Sequence, residues 1–204
     1  MMSKEQFASA GDAAPARERR NAILDAGLAM FMRYGFNRVT MDDIAQAAGI
    51  SRPALYRDFR NKADIYAALA ERMLDRAAAA AEVVLTGPAP LGERLVRAIE
   101  VGILDHLAEI SASPHGAEIL ERKEELTGDI VAGWRERMTT ALARAIGVEA
   151  RARRLDLARR GFSERALAES ILDSLEGAKH RSSDPAEWRA ATARLVTLAL
   201  LALD

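Results

Sequence analysis

Apolar residues recur three and four positions apart along most of the chain, and no stretch alternates at every second residue. That period belongs to helices, so the pattern predicts an all-α protein without a sheet. Ile23, Gly27, Met30 and Tyr34, flanked by Leu24, Leu28 and Phe31, mark one amphipathic helix from Ala16 to near Gly35. Thr40-Met41-Asp42-Asp43 spells a capping box, in which the threonine hydroxyl takes a free helix N–H and the aspartate answers back. A short helix follows to Ala48 and stops at Gly49. Ser51-Arg52-Pro53 opens another, with the proline in the first turn, where its missing N–H costs little. Asn61-Lys62-Ala63-Asp64 caps a longer helix to about Leu85, and Gly87-Pro88-Ala89-Pro90 reads as a linker. Further helices are expected from Leu91 to about Ser111, briefly after Ser113-Pro114, from Glu124 to Ile146, over the arginine-rich 148–160, and from Ser163 to about His180. The last begins at Asp184-Pro185-Ala186-Glu187. Residues 1–14 carry no hydrophobic period and are expected to form a disordered tail.

Composition narrows the class of function. Half of the 204 residues are hydrophobic but only 5% are aromatic, a balance that favours helices. The length can bury a real core in one large domain or two small ones. There is no cysteine, which excludes a disulfide scaffold, cysteine metal sites and a thiol nucleophile, and fits a reducing interior. The most apolar run, Leu195 to Leu203, is far shorter than the roughly 20 residues that span a bilayer. The start lacks the apolar core of a signal peptide. A cytoplasmic protein with no membrane partner is expected. The three histidines, His106, His115 and His180, show no metal-ligand spacing, so neither metal nor cofactor is expected. There is no glycine-rich phosphate loop, no Gly-x-Ser-x-Gly elbow and no histidine-centred triad. Asp42-Asp43 and Glu124-Glu125 fit helix starts better than acid–base chemistry. The chain does not read as an enzyme.

The chemistry concentrates in Thr40 to Lys62, TMDDIAQAAGISRPALYRDFRNK. Two short helices flank a tight turn at Gly49, and Ile44, Ala45 and Ala48 can face Ile50, Leu55 and Phe59. This is the helix-turn-helix pattern, whose second helix enters the DNA major groove. On that helix Ser51 and Tyr56 can donate to phosphates or base edges. Arg52 and Arg57 can pair with phosphates or read guanine. Pro53 offers only an apolar contact, such as a thymine methyl. Lys62, opening the next helix, can hold a phosphate with the helix N-terminus.

In these residues the segment resembles the DNA-binding domain of the tetracycline-repressor (TetR) family. The resemblance covers roughly residues 16–70. It rests on Tyr34-Gly35-Phe36, the capping Thr40, Ile44-Ala45, Ala48-Gly49, Leu55-Tyr56, Phe59 and Lys62. It implies DNA contacts from Thr40, Ser51, Arg52, Tyr56, Arg57 and Lys62. One position departs: Asp58 stands where the family often has His or Tyr, and a carboxylate would repel a phosphate. Asp58 is therefore expected to orient Arg57, Arg60 or Lys62 instead.

The resemblance further implies a TetR-like organisation. After the tail come a three-helix DNA-binding domain over 15–62 and a helical effector-binding and dimerisation domain over 63–204. The final helix is leucine-rich around much of its circumference and needs cover on two sides. Leu195, Leu198 and Leu201 on it, with Leu167, Ile171 and Leu175 on the helix before, are the candidate dimer interface. Ile99, Ile103, His106 and Leu107 share a helical face, and Trp134 and Met138 share another; they are the candidate effector contacts. The expected function is a homodimeric regulator, more readily a repressor, that binds a palindromic double-stranded operator and responds to a small-molecule effector. The competing reading is a helical interaction module or ligand-binding protein without DNA binding. Arg151, Arg153, Arg154, Arg159 and Arg160 lie beside Glu149 and Asp156 and read as a solvated helix face.

Net charge changes one inference. The total of −1 argues against a protein basic all over. Residues 1–70 nevertheless hold 10 basic and 8 acidic side chains, a net of +2, while the remainder carries −3. Arg52, Arg57, Arg60 and Lys62 supply a local basic cluster.

Overall fold

A computed structural model describes residues 5–203, with side chains from Pro15 onward apart from positions 123 and 124. Among the described residues there are helices and no strand. They are α1 (Glu5–Tyr34), α2 (Met41–Ala47), α3 (Arg52–Asp58), α4 (Lys62–Leu85), α5 (Leu91–Ile99), α6 (Asp105–Ala112), α7 (Gly116–Ala152), α8 (Glu164–Arg181) and α9 (Pro185–Leu200). A π-helical turn, Glu100–Leu104, joins α5 to α6, and 3-10 turns lie at Ala158–Arg160 and Leu201–Leu203. Two compact units result: one runs to Arg72 and takes in Ile110–Gly128, the other holds Met73–Glu109 and the chain from Asp129 on. The first unit thus extends beyond residue 62 and recruits a distant segment of chain.

In the first unit Ile23, Phe31, Ile44, Leu55 and Ile65 are fully buried in one cluster. Phe31, Phe36 and Tyr66 meet within it in tilted and edge-to-face contacts at centroid distances of 5.3 to 6.2 Å. Tyr66 donates its hydroxyl to the Ile119 carbonyl at 2.6 Å, and burial pushes the phenol up to about 12. The start of α7 is thereby fastened to α4. Gly27 lets α1 and α4 meet closely, because a Cβ there would lie 2.9 Å from Ile65 Cγ2. Gly35 ends α1 at φ +82°, a region that favours glycine, and a side chain there would run into the Glu118 carboxylate.

The second unit buries Leu95, Ile99, Leu104, Met138, Leu142 and Ile146 with Leu167, Ile171, Leu172 and Leu175. The π-helical turn places Gly102 against Met138, whose Cε would lie 2.7 Å from a Cβ at that position. Arg137 bridges α7 to Glu82 and Asp75 of α4, and Arg165 of α8 pairs with Glu136 of α7.

Several expectations change here. α1 begins at Glu5, inside the expected tail, even though Gly11 and Pro15 fall within it. Residues 1–4 lie outside the described residues. The separate helices expected after Ser113-Pro114 and from Glu124 form one run, interrupted only at Thr127 (φ −138°, ψ 19°). The arginine-rich helix ends at Ala152, and Arg154 takes φ 57° in the following turn. Arg151, Arg153, Arg154, Arg159 and Arg160 are all exposed, as expected of a solvated face, and Arg160 also donates to the Ala202 carbonyl at 3.2 Å. Leu167, Ile171 and Leu175 are buried in the second unit's own core, which leaves them no free surface to offer an interface. The apolar face of α8 turns inward because α9 packs along it, with the Trp188 indole donating to the Ser182 carbonyl at 2.7 Å. Leu198 and Leu201 are 62% and 61% exposed, while Leu195 is half-buried.

Candidate nucleic-acid interface

The helix-turn-helix is assembled from caps at its ends and apolar contacts in its middle. Thr40 caps α2: its hydroxyl accepts from the Asp43 N–H at 3.2 Å, and the Asp43 carboxylate accepts from the Thr40 N–H at 2.9 Å. The hydrogen bond from the Thr40 side chain, followed by that from its backbone, holds the Asp43 carboxyl below the usual carboxylate range. Gly49 sits in the turn at φ +66°, a conformation that favours glycine. Ser51 caps α3, its Oγ accepting from the Ala54 N–H, and Pro53 lies in the first turn.

The seven residues of α3 divide cleanly. Leu55 is fully buried, as is the Phe59 that follows the helix, and both face the unit's core. Arg52, Pro53, Tyr56 and Arg57 are all exposed. Their spacing of one, three and one residues places them on one outward side of the helix. Tyr56, an aromatic 42% exposed, lies 5.6 Å from the Arg52 guanidinium. Arg52 also pairs with Asp42 of α2 at 3.1 Å, and Arg60 with Asp64 at 2.9 Å. These acids hold two of the four cations in place.

Two expectations on this segment change. The Lys62 ammonium donates to the carbonyls of Phe36, Asn37 and Val39 at 2.7, 3.0 and 3.0 Å, which uses all three of its N–H groups. Burial pushes its pKa down. Its side chain clamps the loop that leads to Thr40 and does not point outward to a phosphate. Asp58 does not orient Arg57, Arg60 or Lys62: its carboxylate receives Arg19 Nε at 2.7 Å and a second guanidinium nitrogen at 3.2 Å. Sequence spacing could not pair residues 39 positions apart; only the packing of α1 against α3 brings them together.

The expected effector residues all belong to the second unit. Ile99, Ile103 and Met138 lie inside its core, with Leu107 and Trp134 packed against it. His106 is half-buried. The indole Nε1 of Trp134 is buried and has no hydrogen-bond partner in the protein. Among the described residues no cluster of three or more His, Asp or Glu could hold a metal ion, and no helix is long and apolar enough to cross a membrane.

Known proteins place this geometry. Residues 23–69 match the model of bacterial regulatory proteins, tetR family. The HTH-type transcriptional activator FasR of Mycolicibacterium smegmatis is 33% identical over 90 residues, 44% of this chain and 41% of that protein. The regulator TtgR of Pseudomonas putida is 31% identical over 133 residues, 62% of this chain and 60% of that one. These alignments span less than two thirds of either relative's length. Among solved structures, SmeT, the repressor of a Stenotrophomonas maltophilia multidrug efflux pump, superposes with a TM-score of 0.61 at 23% identity, covering 90% of this chain and 89% of that one. A SmeT–triclosan complex gives a TM-score of 0.63 at 22% identity, covering 91% of each chain. At such identity the likeness speaks for the fold alone. The helix-turn-helix segment is thus similar to that of the tetR family of bacterial regulatory proteins, and the all-helical fold is like that of the solved regulators.

Proposed function

We propose that the chain is a homodimeric, sequence-specific DNA-binding transcriptional regulator, a repressor that a small-molecule effector releases from a palindromic operator. The observation that carries this reading is the outward face of α3. Two arginines, a tyrosine and a proline stand exposed on a two-turn helix that Leu55 and Phe59 anchor from behind. Such a face offers bidentate donors for guanine, a phosphate partner and an apolar contact for thymine. Ser51 and Thr40, exposed at the helix starts, are further candidate hydroxyl contacts. Lys62 supports the reader through the loop it clamps.

Leu198 and Leu201 favour pairing of two copies through α9, since both are large, apolar and exposed. Two-fold symmetry would set the two α3 helices about 34 to 36 Å apart, one turn of DNA.

The unpartnered indole of Trp134 supports an effector site in the second unit, for a largely apolar molecule with one acceptor. A neighbour of the same fold has been solved with triclosan bound. Titrating the protein–DNA complex with candidate apolar ligands tests this. Ligands that bind should release DNA, and Trp134→Phe should weaken their binding about fivefold, the worth of one neutral hydrogen bond. A ligand that binds tightly and leaves DNA affinity unchanged contradicts the induction reading.

A further inference from the structure

α3 is only seven residues long, too short to hold its own shape in water, so its direction depends on what grips its ends. The N-terminal end is held by the Ser51 cap and the Arg52–Asp42 pair, and the middle by Leu55. The C-terminal end carries a residue that local rules disfavour twice. Asp58 is an acid at the negative end of a helix dipole, and it stands beside a face proposed to meet phosphates.

Its partner lies on α1. Arg19 engages both carboxylate oxygens of Asp58 through two different nitrogens, a fork geometry that fixes orientation as well as distance. The next residue, Arg20, lies over the ring of Phe59, 4.4 Å from its centroid. Two consecutive α1 residues therefore grip the last residue of α3 and the one after it. Arg20 and Arg57 add to the positive surroundings of the carboxylate, which stays ionised. The Arg19 and Asp58 side chains remain 31% and 16% exposed, and pairs at that exposure contribute little to overall stability. The geometry specifies direction instead.

We infer that Arg19 is a positioning residue for DNA reading, fixing the C-terminal end of α3 through the Arg19–Asp58 fork so that Tyr56 and Arg57 meet base edges in register. The inference rests on the proposed DNA-binding function. Its two partners have opposite charges, so removing either loosens the helix while shifting non-specific attraction in opposite senses.

The test measures the affinity of the full chain for its selected operator and for random duplex at fixed salt. Arg19→Ala leaves Asp58 bare and lowers affinity for random duplex; Asp58→Ala frees Arg19 and raises it. Both lower the operator-to-random ratio about tenfold, the scale of one misplaced base contact. The exchange Arg19→Asp with Asp58→Arg restores the ratio, and thermal midpoints stay near that of the wild type. Unchanged ratios in both single variants would overturn the inference, as would equal losses on operator and random duplex in Arg19→Ala, which mark a mere phosphate contact. A wild type that shows no operator preference at all would instead overturn the regulator reading, and this inference with it.

Discussion

Truncating Leu55 to alanine lowers the unfolding free energy of the helix-turn-helix unit by about 2–5 kcal/mol. Leu55 is fully buried and is the one residue within α3 that reaches the core; Phe59 follows just beyond the helix. A seven-residue helix has too few internal hydrogen bonds to survive without that anchor. Natural domains are stable by only about 5–15 kcal/mol, so the loss is a large share of the total. Denaturant unfolding followed by circular dichroism reads it directly. Operator binding falls with it, because α3 no longer has a defined direction. A change below about 1 kcal/mol would mean that the side chain is not packed as described.

Removing both outward arginines acts on binding and leaves folding intact. Arg52→Ala with Arg57→Ala lowers operator affinity about a hundredfold or more, as two lost bidentate contacts would. The dependence of affinity on salt becomes shallower by about two phosphate contacts if both residues meet the backbone, and is unchanged if both read bases. The single variants should differ. Arg52 must give up Asp42 at 3.1 Å before it can engage DNA, whereas Arg57 stands exposed in the free protein. Arg57→Ala is therefore the more costly of the two. Equal operator affinity in the double variant and the wild type, with both folded, would remove α3 from the interface.

Much of this unit was legible in the residues, because its devices are local. The Thr40–Asp43 box, the Ser51 cap, Pro53 in the first turn and the glycine stop at Gly49 each act within four residues, and each forms as the spacing implies. Partnerships across the fold were not legible. Lys62 reads as a phosphate donor from its place at a helix start, yet three carbonyls from residues 36–39 reach it first. Asp58 reads as a neighbour of the nearby cations, yet it takes Arg19 from a different helix. The apolar stripe of α8 looks the same in sequence whether it meets its own core or a second copy. Only the packing of α9 against it assigns Leu167, Ile171 and Leu175 to the interior. Periodicity finds a face that must be covered and leaves open what covers it. For α9, Leu198 and Leu201 are the residues of that kind still exposed.

The central claim is that the outward face of α3 reads DNA as one half of a symmetric pair. Selection of bound duplexes from a random pool by the purified full chain tests it most directly. The account predicts enrichment of a palindrome whose half-sites lie about 10 base pairs apart, or a multiple of that, centre to centre, with the enrichment lost when Arg52 and Arg57 are replaced by alanine. A pool that remains random, or a winning sequence bound equally well by the double alanine variant, would contradict it.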